Sequence, residues 1–234
     1  MAFIQGTGIQ SVGSVASVSK AFASDVTSGN CLVVGCIASG TVDWTAAMVT
    51  DTLTNTYTQA IRINTTANDA EMQIARVLSS ASGGPCTVTI DMTASDVQSI
   101  GIAECSLTSG AANATATGQN TGTAVVTGNI VTTGGVDVII FALASHDGAT
   151  TTMAEGGTYT PIFKDTDGTD MPISWMYKEV VSGTYTADWT YGASRTWDCC
   201  AAAFGTNAPA GVAAVAYRSK SRPFPFKPSG SRWR

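Results

Sequence analysis

The sequence predicts an all-β sandwich, on three observations. The first is composition. Of the 234 residues, 34 are Thr and 24 are Gly, while Lys, Arg, Asp and Glu together make up only 12%. Thr favours strands, Gly favours turns, and the scarcity of Glu, Lys and Arg argues against a helical bundle or long amphipathic helices. The second is rhythm: short apolar runs recur with turn residues between them and show no helical period. The third is an internal repeat with an offset near 100 residues. With 44% hydrophobic residues the chain can bury a sizeable core, which excludes disorder.

Taken in order, strands are expected near 9–20, 31–38, 57–63, 71–80, 86–92, 97–107, 123–132, 136–145, 158–164, 172–181, 184–190 and 195–204. Thr27-Ser28-Gly29-Asn30, Ser82-Gly83-Gly84-Pro85, Thr133-Gly134-Gly135 and Ser182-Gly183 are the turns between some of them. Thr87-Val88-Thr89-Ile90-Asp91-Met92 and Thr184-Tyr185-Thr186-Ala187-Asp188-Trp189 alternate, as half-buried strands do. Leu32-Val33-Val34 and Val138-Ile139-Ile140-Phe141 are continuous, which predicts strands buried on both faces.

The repeat sets 26–39 against 131–145, 55–58 against 157–160, 72–80 against 173–181, 86–92 against 184–190 and 99–105 against 198–204. One half alone has too few strands to cover its own apolar faces, whereas two halves can share a core. The expected organisation is therefore one sandwich over residues 1–207, with repeats at about 8–107 and 123–206. Residues 108–122 read as a linker or surface loop. Residues 205–211 read as a small-residue hinge, and 208–234 as an extended tail in which Pro223, Pro225 and Pro228 hold 222–228 extended.

Charge divides the chain in the same place. All 17 acidic residues and six basic ones lie in 1–198, a net of −11, and the other six basic residues lie beyond, a net of +6. An acidic body is a poor match for nucleic acid. Aromatics spaced among cations mark the tail as a partner-binding segment, through Tyr217, Arg218, Lys220, Arg222, Phe224, Phe226, Lys227, Arg232, Trp233 and Arg234. No apolar run reaches the roughly 20 residues of a membrane-spanning helix. Residues 1–20 lack the basic and apolar regions of a signal peptide, so synthesis in a cytoplasm is expected.

Few motifs carry chemistry. Cys31, Cys36, Cys86, Cys105, Cys199 and Cys200 lie in or beside apolar β-type runs and read as buried free thiols; disulfide pairing and a metal site stand as alternatives. His146-Asp147 closes a strand and reads as a strand-end surface pair, since no nucleophile elbow accompanies it. Asp165, Asp167 and Asp170 read as a hairpin turn, with a calcium site as the alternative reading. Trp44, Trp175, Trp189, Tyr191 and Trp197 are candidates for a sugar-binding platform; Trp44 and Tyr191 sit at loop-like positions, while Trp175 and Trp189 sit in strands. No cofactor is expected.

The order of VTSGN at 26–30, NTYT at 55–58, CTVTI at 86–90 and IGIAECS at 100–106 resembles the Thr/Ala/Gly-rich β-sandwich proteins of tailed phages, which have relatives among bacterial surface proteins. The resemblance covers about residues 8–206 and implies a jelly-roll or immunoglobulin-like sandwich without catalytic residues. It implies a non-enzymatic virion protein: a capsid decoration or head-fibre subunit on the particle surface. Its partners would be the major capsid protein or neighbouring virion subunits. A homo-oligomer is expected, with a trimer as one form. A tail-borne receptor- or glycan-binding module is the alternative, and a cell-surface or filament subunit a further one.

Overall fold

A computed structural model describes residues 2–10, 13–39, 43–63, 70–96, 98–106, 112–133, 137–146, 151–165 and 172–205. These residues form sixteen strands and one short 3-10 turn at Ala46–Met48, with no α-helix among them. The first half supplies β1 (Phe3–Gln10), β2 (Val15–Ala21), β3 (Cys31–Ser39), β4 (Val49–Asp51), β5 (Thr58–Ile63), β6 (Ala70–Val77), β7 (Thr87–Asp96) and β8 (Gln98–Cys105). The second supplies β9 (Ala112–Val126), β10 (Ile130–Thr132), β11 (Val138–His146), β12 (Met153–Glu155), β13 (Thr160–Asp165), β14 (Ile173–Val180), β15 (Gly183–Tyr185) and β16 (Asp188–Gly205).

The first half builds a five-stranded antiparallel sheet in the order β1-β8-β3-β6-β5 and a three-stranded sheet in the order β2-β7-β4. Both orders follow the jelly-roll path, save that β5 pairs with β6. The second half repeats the arrangement: β9, β16, β11, β14 and β13 form its main sheet, while the start of β16 pairs with β12 and the end of β9. The correspondence extends to single bonds. Phe22 N–H donates to Cys86 O at 3.0 Å and Thr127 N–H to Ala187 O at 2.9 Å; Thr52 N–H donates to Thr87 O at 3.1 Å and Gly156 N–H to Asp188 O at 2.7 Å.

The fold is thus an all-β sandwich of two repeated halves, with four layers. Each main sheet is covered on one face by its own half's small sheet and on the other by the opposite main sheet. Strand alternation sorts the side chains between these cores. From β3, Val33 and Ile37 enter the central core while Leu32, Val34, Cys36 and Ala38 enter the first half's outer core. From β11, Ile139, Phe141 and Leu143 point to the centre while Val138, Ile140, Ala142 and Ala144 point outward. Both continuous apolar runs are accordingly buried on both faces.

The central core is a match of large against small. Gly8, Gly101 and Gly35 are cross-strand neighbours in one row of the first sheet. Phe163, Trp175 and Leu143 are neighbours in one row of the second. The rows face each other: a Cβ on Gly8 would meet Phe163 Cδ1 within van der Waals radii, one on Gly101 would stand 2.6 Å from Trp175 Cγ, and one on Gly35 would stand 2.9 Å from Trp175 and 3.4 Å from Leu143 Cδ1. The glycine row continues into Ile74 and Ile61, and the large row into Cys200 and Thr117. Two equivalent rows therefore run in opposite directions, as a two-fold exchange of the halves requires.

Several element expectations need correction. The run at 9–20 is two strands, β1 and β2, because β1 pairs with β8 and β2 with β7. The expected linker at 108–122 contains most of β9, whose small Thr, Ala and Gly residues lie against β16. The short strands β4 and β12 carry too few residues to show alternation. Within the repeat, Ile37 pairs with Met72 and Ser99, and Ser145 pairs with Ile173 and Asp198. Ile37 therefore corresponds to Ser145, two residues from the textual match. Cys86 corresponds to Ala187 rather than Thr184, as the paired bonds above require.

Candidate functional site

The tail residues Tyr217, Arg218, Lys220, Arg222, Phe224, Phe226, Lys227, Arg232, Trp233 and Arg234 lie outside the described residues, as do Asp167 and Asp170. Asp165 ends β13, registered with Ile173. Among the described residues no group of three or more His, Cys, Asp or Glu side chains is arranged to hold a metal ion.

The aromatic platform is overturned. Trp44, Trp175, Trp189, Tyr191 and Trp197 are all buried, none more than 3% exposed. Trp44 precedes the 3-10 turn but folds inward into the first outer core with Tyr57 and Ile90. Tyr191 is no loop residue: it lies on β16, opposite Met153, in the second outer core. A jelly-roll half of this size needs its large aromatics to fill the space between a five-stranded sheet and a short one.

His146 ends β11 as expected, but it is not a surface residue. It is fully buried, pairs across strands with Trp197, and sits edge-on to Tyr191 with ring centroids 4.7 Å apart. Burial also pushes the Tyr191 hydroxyl well above its ordinary pKa.

All six cysteines are free and buried. Burial raises the thiols of Cys36, Cys199 and Cys200, and pushes Cys86 up to about 12 with Asp51 and Glu104 adding to the effect. Cys31 and Cys105 are cross-strand partners in the central core; the hydrogen bond between them and burial hold Cys105 well above its usual value. Such thiols are poor nucleophiles and poor metal ligands.

Two polar networks were not legible in the sequence. In the first half, the buried carboxylate of Glu104 accepts from Gln5 Nε2 at 2.6 Å, Asn30 Nδ2 at 2.6 Å and Thr27 N–H at 2.9 Å. It ties the 27–30 turn to β1 and β8. In the second, Trp189 Nε1 donates to Ser174 Oγ at 2.9 Å, Ser174 Oγ donates to Glu155 Oε1 at 2.9 Å, and Lys164 Nζ lies 3.2 Å from Glu155 Oε2. The Ser-Glu-Lys sequence of contacts resembles an activated nucleophile. The geometry denies that role: Ser174 is fully buried, and its hydroxyl is engaged on both sides by protein groups.

Among the described residues, the six thiols, His146 and Ser174 are thus interior. The described surface carries scattered apolar residues, among them Ile4, Val126, Val131 and Val181. A shallow, open depression of about 430 Å³ lies between Asp137, Lys178, Glu179, Val180, Val181 and Tyr185, close to the end of β16. No family model, curated protein or solved structure matches this chain.

Proposed function

We propose that this chain is a non-enzymatic structural subunit of a tailed-phage virion, a capsid decoration or head-fibre protein anchored through its basic tail. The observation that carries the reading is the back-to-back packing of two jelly-roll halves. Both faces of both main sheets are spent on packing, and the six thiols, His146 and Ser174 are buried within the body. Jelly-roll sheets recur in viral capsid proteins, and the analogy supports the particle setting.

Charge supports the anchor. The body is acidic and residues 199–234 carry six basic groups and no acid. Exposed ion pairs are individually weak, so Phe224, Phe226 and Trp233 would supply the buried contact and repetition of the subunit would supply avidity. A lectin role is the alternative for a jelly roll, but the five aromatics it would have used are core residues.

The test is deletion of 208–234. The truncated chain is expected to fold, remain soluble and fail to co-sediment with particles that the full chain binds. Co-sedimentation of the truncated chain would sink the anchor.

A further inference from the structure

The end of β16 lies beside an open surface. Gly205 pairs with Val138, and Val138 pairs on its other side with Val180. Two strand spacings, about 10 Å, separate Gly205 from Val180, and about three extended residues cross that distance. The depression of about 430 Å³ lies there, between Asp137, Lys178, Glu179, Val180, Val181 and Tyr185. Val181 is 59% exposed, the most of any large apolar residue described. Thr132 Oγ1 donates to its carbonyl at 2.9 Å, which sets the exposed Val131 of β10 nearby.

The charges of this surface are unevenly committed. Lys178 turns its ammonium to two rings, 5.5 Å from the Tyr159 centroid and 5.3 Å from that of Tyr185. Asp137 and Glu179 are exposed, and Glu179 Oε1 accepts from Phe3 N–H at 2.8 Å. Exposed valines beside two carboxylates suit an apolar segment that ends in cations. The chain beyond Gly205 has that composition. Val212-Ala213-Ala214-Val215-Ala216-Tyr217 is followed by Arg218 and Lys220, and 206–234 holds no Asp or Glu side chain. A tether this short holds the segment at an effective concentration of about millimolar, which a separate molecule of the same chemistry must exceed to displace it.

We propose that residues 212–220 of this same chain occupy the depression, with Val215 and Tyr217 against Val180 and Val181 and the cations of Arg218 and Lys220 at Asp137 and Glu179. The proposal does not depend on the virion reading. It fixes the near part of the tail to the body and leaves 222–234 to reach a particle.

The test uses the full chain alone, as an equal mixture of unlabelled and 15N-labelled protein, treated with a carbodiimide that joins a lysine to a carboxylate without a spacer. The expected product is an amide between Lys220 and Asp137 or Glu179 within one copy, unchanged on dilution. It should be several-fold more abundant than links from Lys220 to the exposed Asp25, Asp43 or Asp91. R218E/K220E removes the attraction without touching the body, and is expected to shift the amide resonances of Val180 and Val181. D137N/E179Q keeps an acceptor for Phe3 N–H and is expected to fold and to shift the Tyr217 amide. Lys220 links spread evenly over the exposed carboxylates, or Val180 and Val181 resonances unmoved in R218E/K220E, overturn the docking. Links that join labelled to unlabelled copies and fade on dilution put a second copy's segment there, and overturn it equally.

Discussion

Trp175 of β14 occupies the space that a side chain at Gly101 of β8 would need. A Cβ at Gly101 would stand 2.6 Å from the indole Cγ and Cδ1 and 3.0 Å from Trp175 Cβ. Trp175 is fully buried at the joint between the two halves, with Phe141 stacked 5.4 Å away. Overpacking a filled core costs about 1–3 kcal/mol. Gly101→Ala is therefore expected to lower unfolding free energy by at least that much. Trp175→Leu in the same background should recover part of the loss. Urea denaturation of the four-member cycle checks this, and strictly additive losses would show that the two residues do not share the space.

The glycine row shows where sequence reading stops. Alternation and continuous apolar runs made the all-β fold and the doubly buried strands legible, because a period of two needs only local residues. Gly8, Gly35 and Gly101 are far apart in the chain, and only hydrogen-bond register sets them side by side. Register also explains the two slips in the repeat. Strands of Ala, Val, Thr and Ile match one another in several frames. The two-residue slip between β3 and β11 keeps every side chain on its proper face, so composition could not reveal it. Tyr191 and Trp44 read as loop-like for a related reason: Gly192-Ala193-Ser194 follows the first and Ser39-Gly40-Thr41 precedes the second, but one lies on a strand and the other turns inward.

The buried thiols and phenols set the alkaline limit of the fold. Cys86 is raised to about 12, and Cys36, Cys105, Cys199, Cys200, Tyr57, Tyr159 and Tyr191 are also raised, chiefly by burial for all but Cys105. These acids are neutral in the folded chain where the unfolded chain has begun to ionise. Between about pH 9 and 12 the unfolded state therefore binds fewer protons, and stability must fall as pH rises. Each such group contributes a slope of up to about 1.4 kcal/mol per pH unit in that window and nothing below it. Melting temperature should be flat from pH 7 to 8.5 and drop steeply above pH 9. A flat profile to pH 11 would show that the thiols and phenols reach water. The same burial predicts that none of the six thiols reacts with a charged disulfide reagent until denaturant is added.

Thr54 is the one non-glycine residue with positive φ among those described, at 60°. It sits in the tight turn after β4, where Asp51 Oδ1 accepts from Leu53 N–H at 2.9 Å and Asn55 N–H at 3.1 Å. Asp51 Oδ2 also accepts from Tyr57 OH at 2.8 Å, so the turn is fixed from below. A β-branched residue in the left-handed region costs about 1–2 kcal/mol. Thr54→Gly removes that strain while loosening the unfolded chain, and a net gain of about 0.5–1 kcal/mol is expected. Thr54→Asn should gain a similar amount, since Asn tolerates the conformation. Chemical denaturation decides it; a loss in both variants would mean that the threonine side chain contributes more than its backbone costs.

Glu104 offers the sharpest separation between a packing role and a polar one. Its carboxylate is fully buried, with Oε1 taking two donors from the 27–30 turn and Oε2 taking Gln5 Nε2, which also donates to Ser24 O at 3.1 Å. Glu104→Gln keeps the shape but turns an NH₂ toward the Gln5 amide, leaving one donor facing another. Glu104→Ala leaves three donors without acceptors. Each buried donor left unsatisfied costs about 1–3 kcal/mol, so the alanine variant should lose at least about 3 kcal/mol and the glutamine variant roughly a third of that. Gln5→Leu in the Glu104→Gln background removes the facing donor and should return part of the loss. The local readout is hydrogen exchange at the Thr27 amide, which should accelerate in Glu104→Ala well beyond the change in global stability. Equal losses for glutamine and alanine would show that volume, rather than the three hydrogen bonds, is what Glu104 contributes.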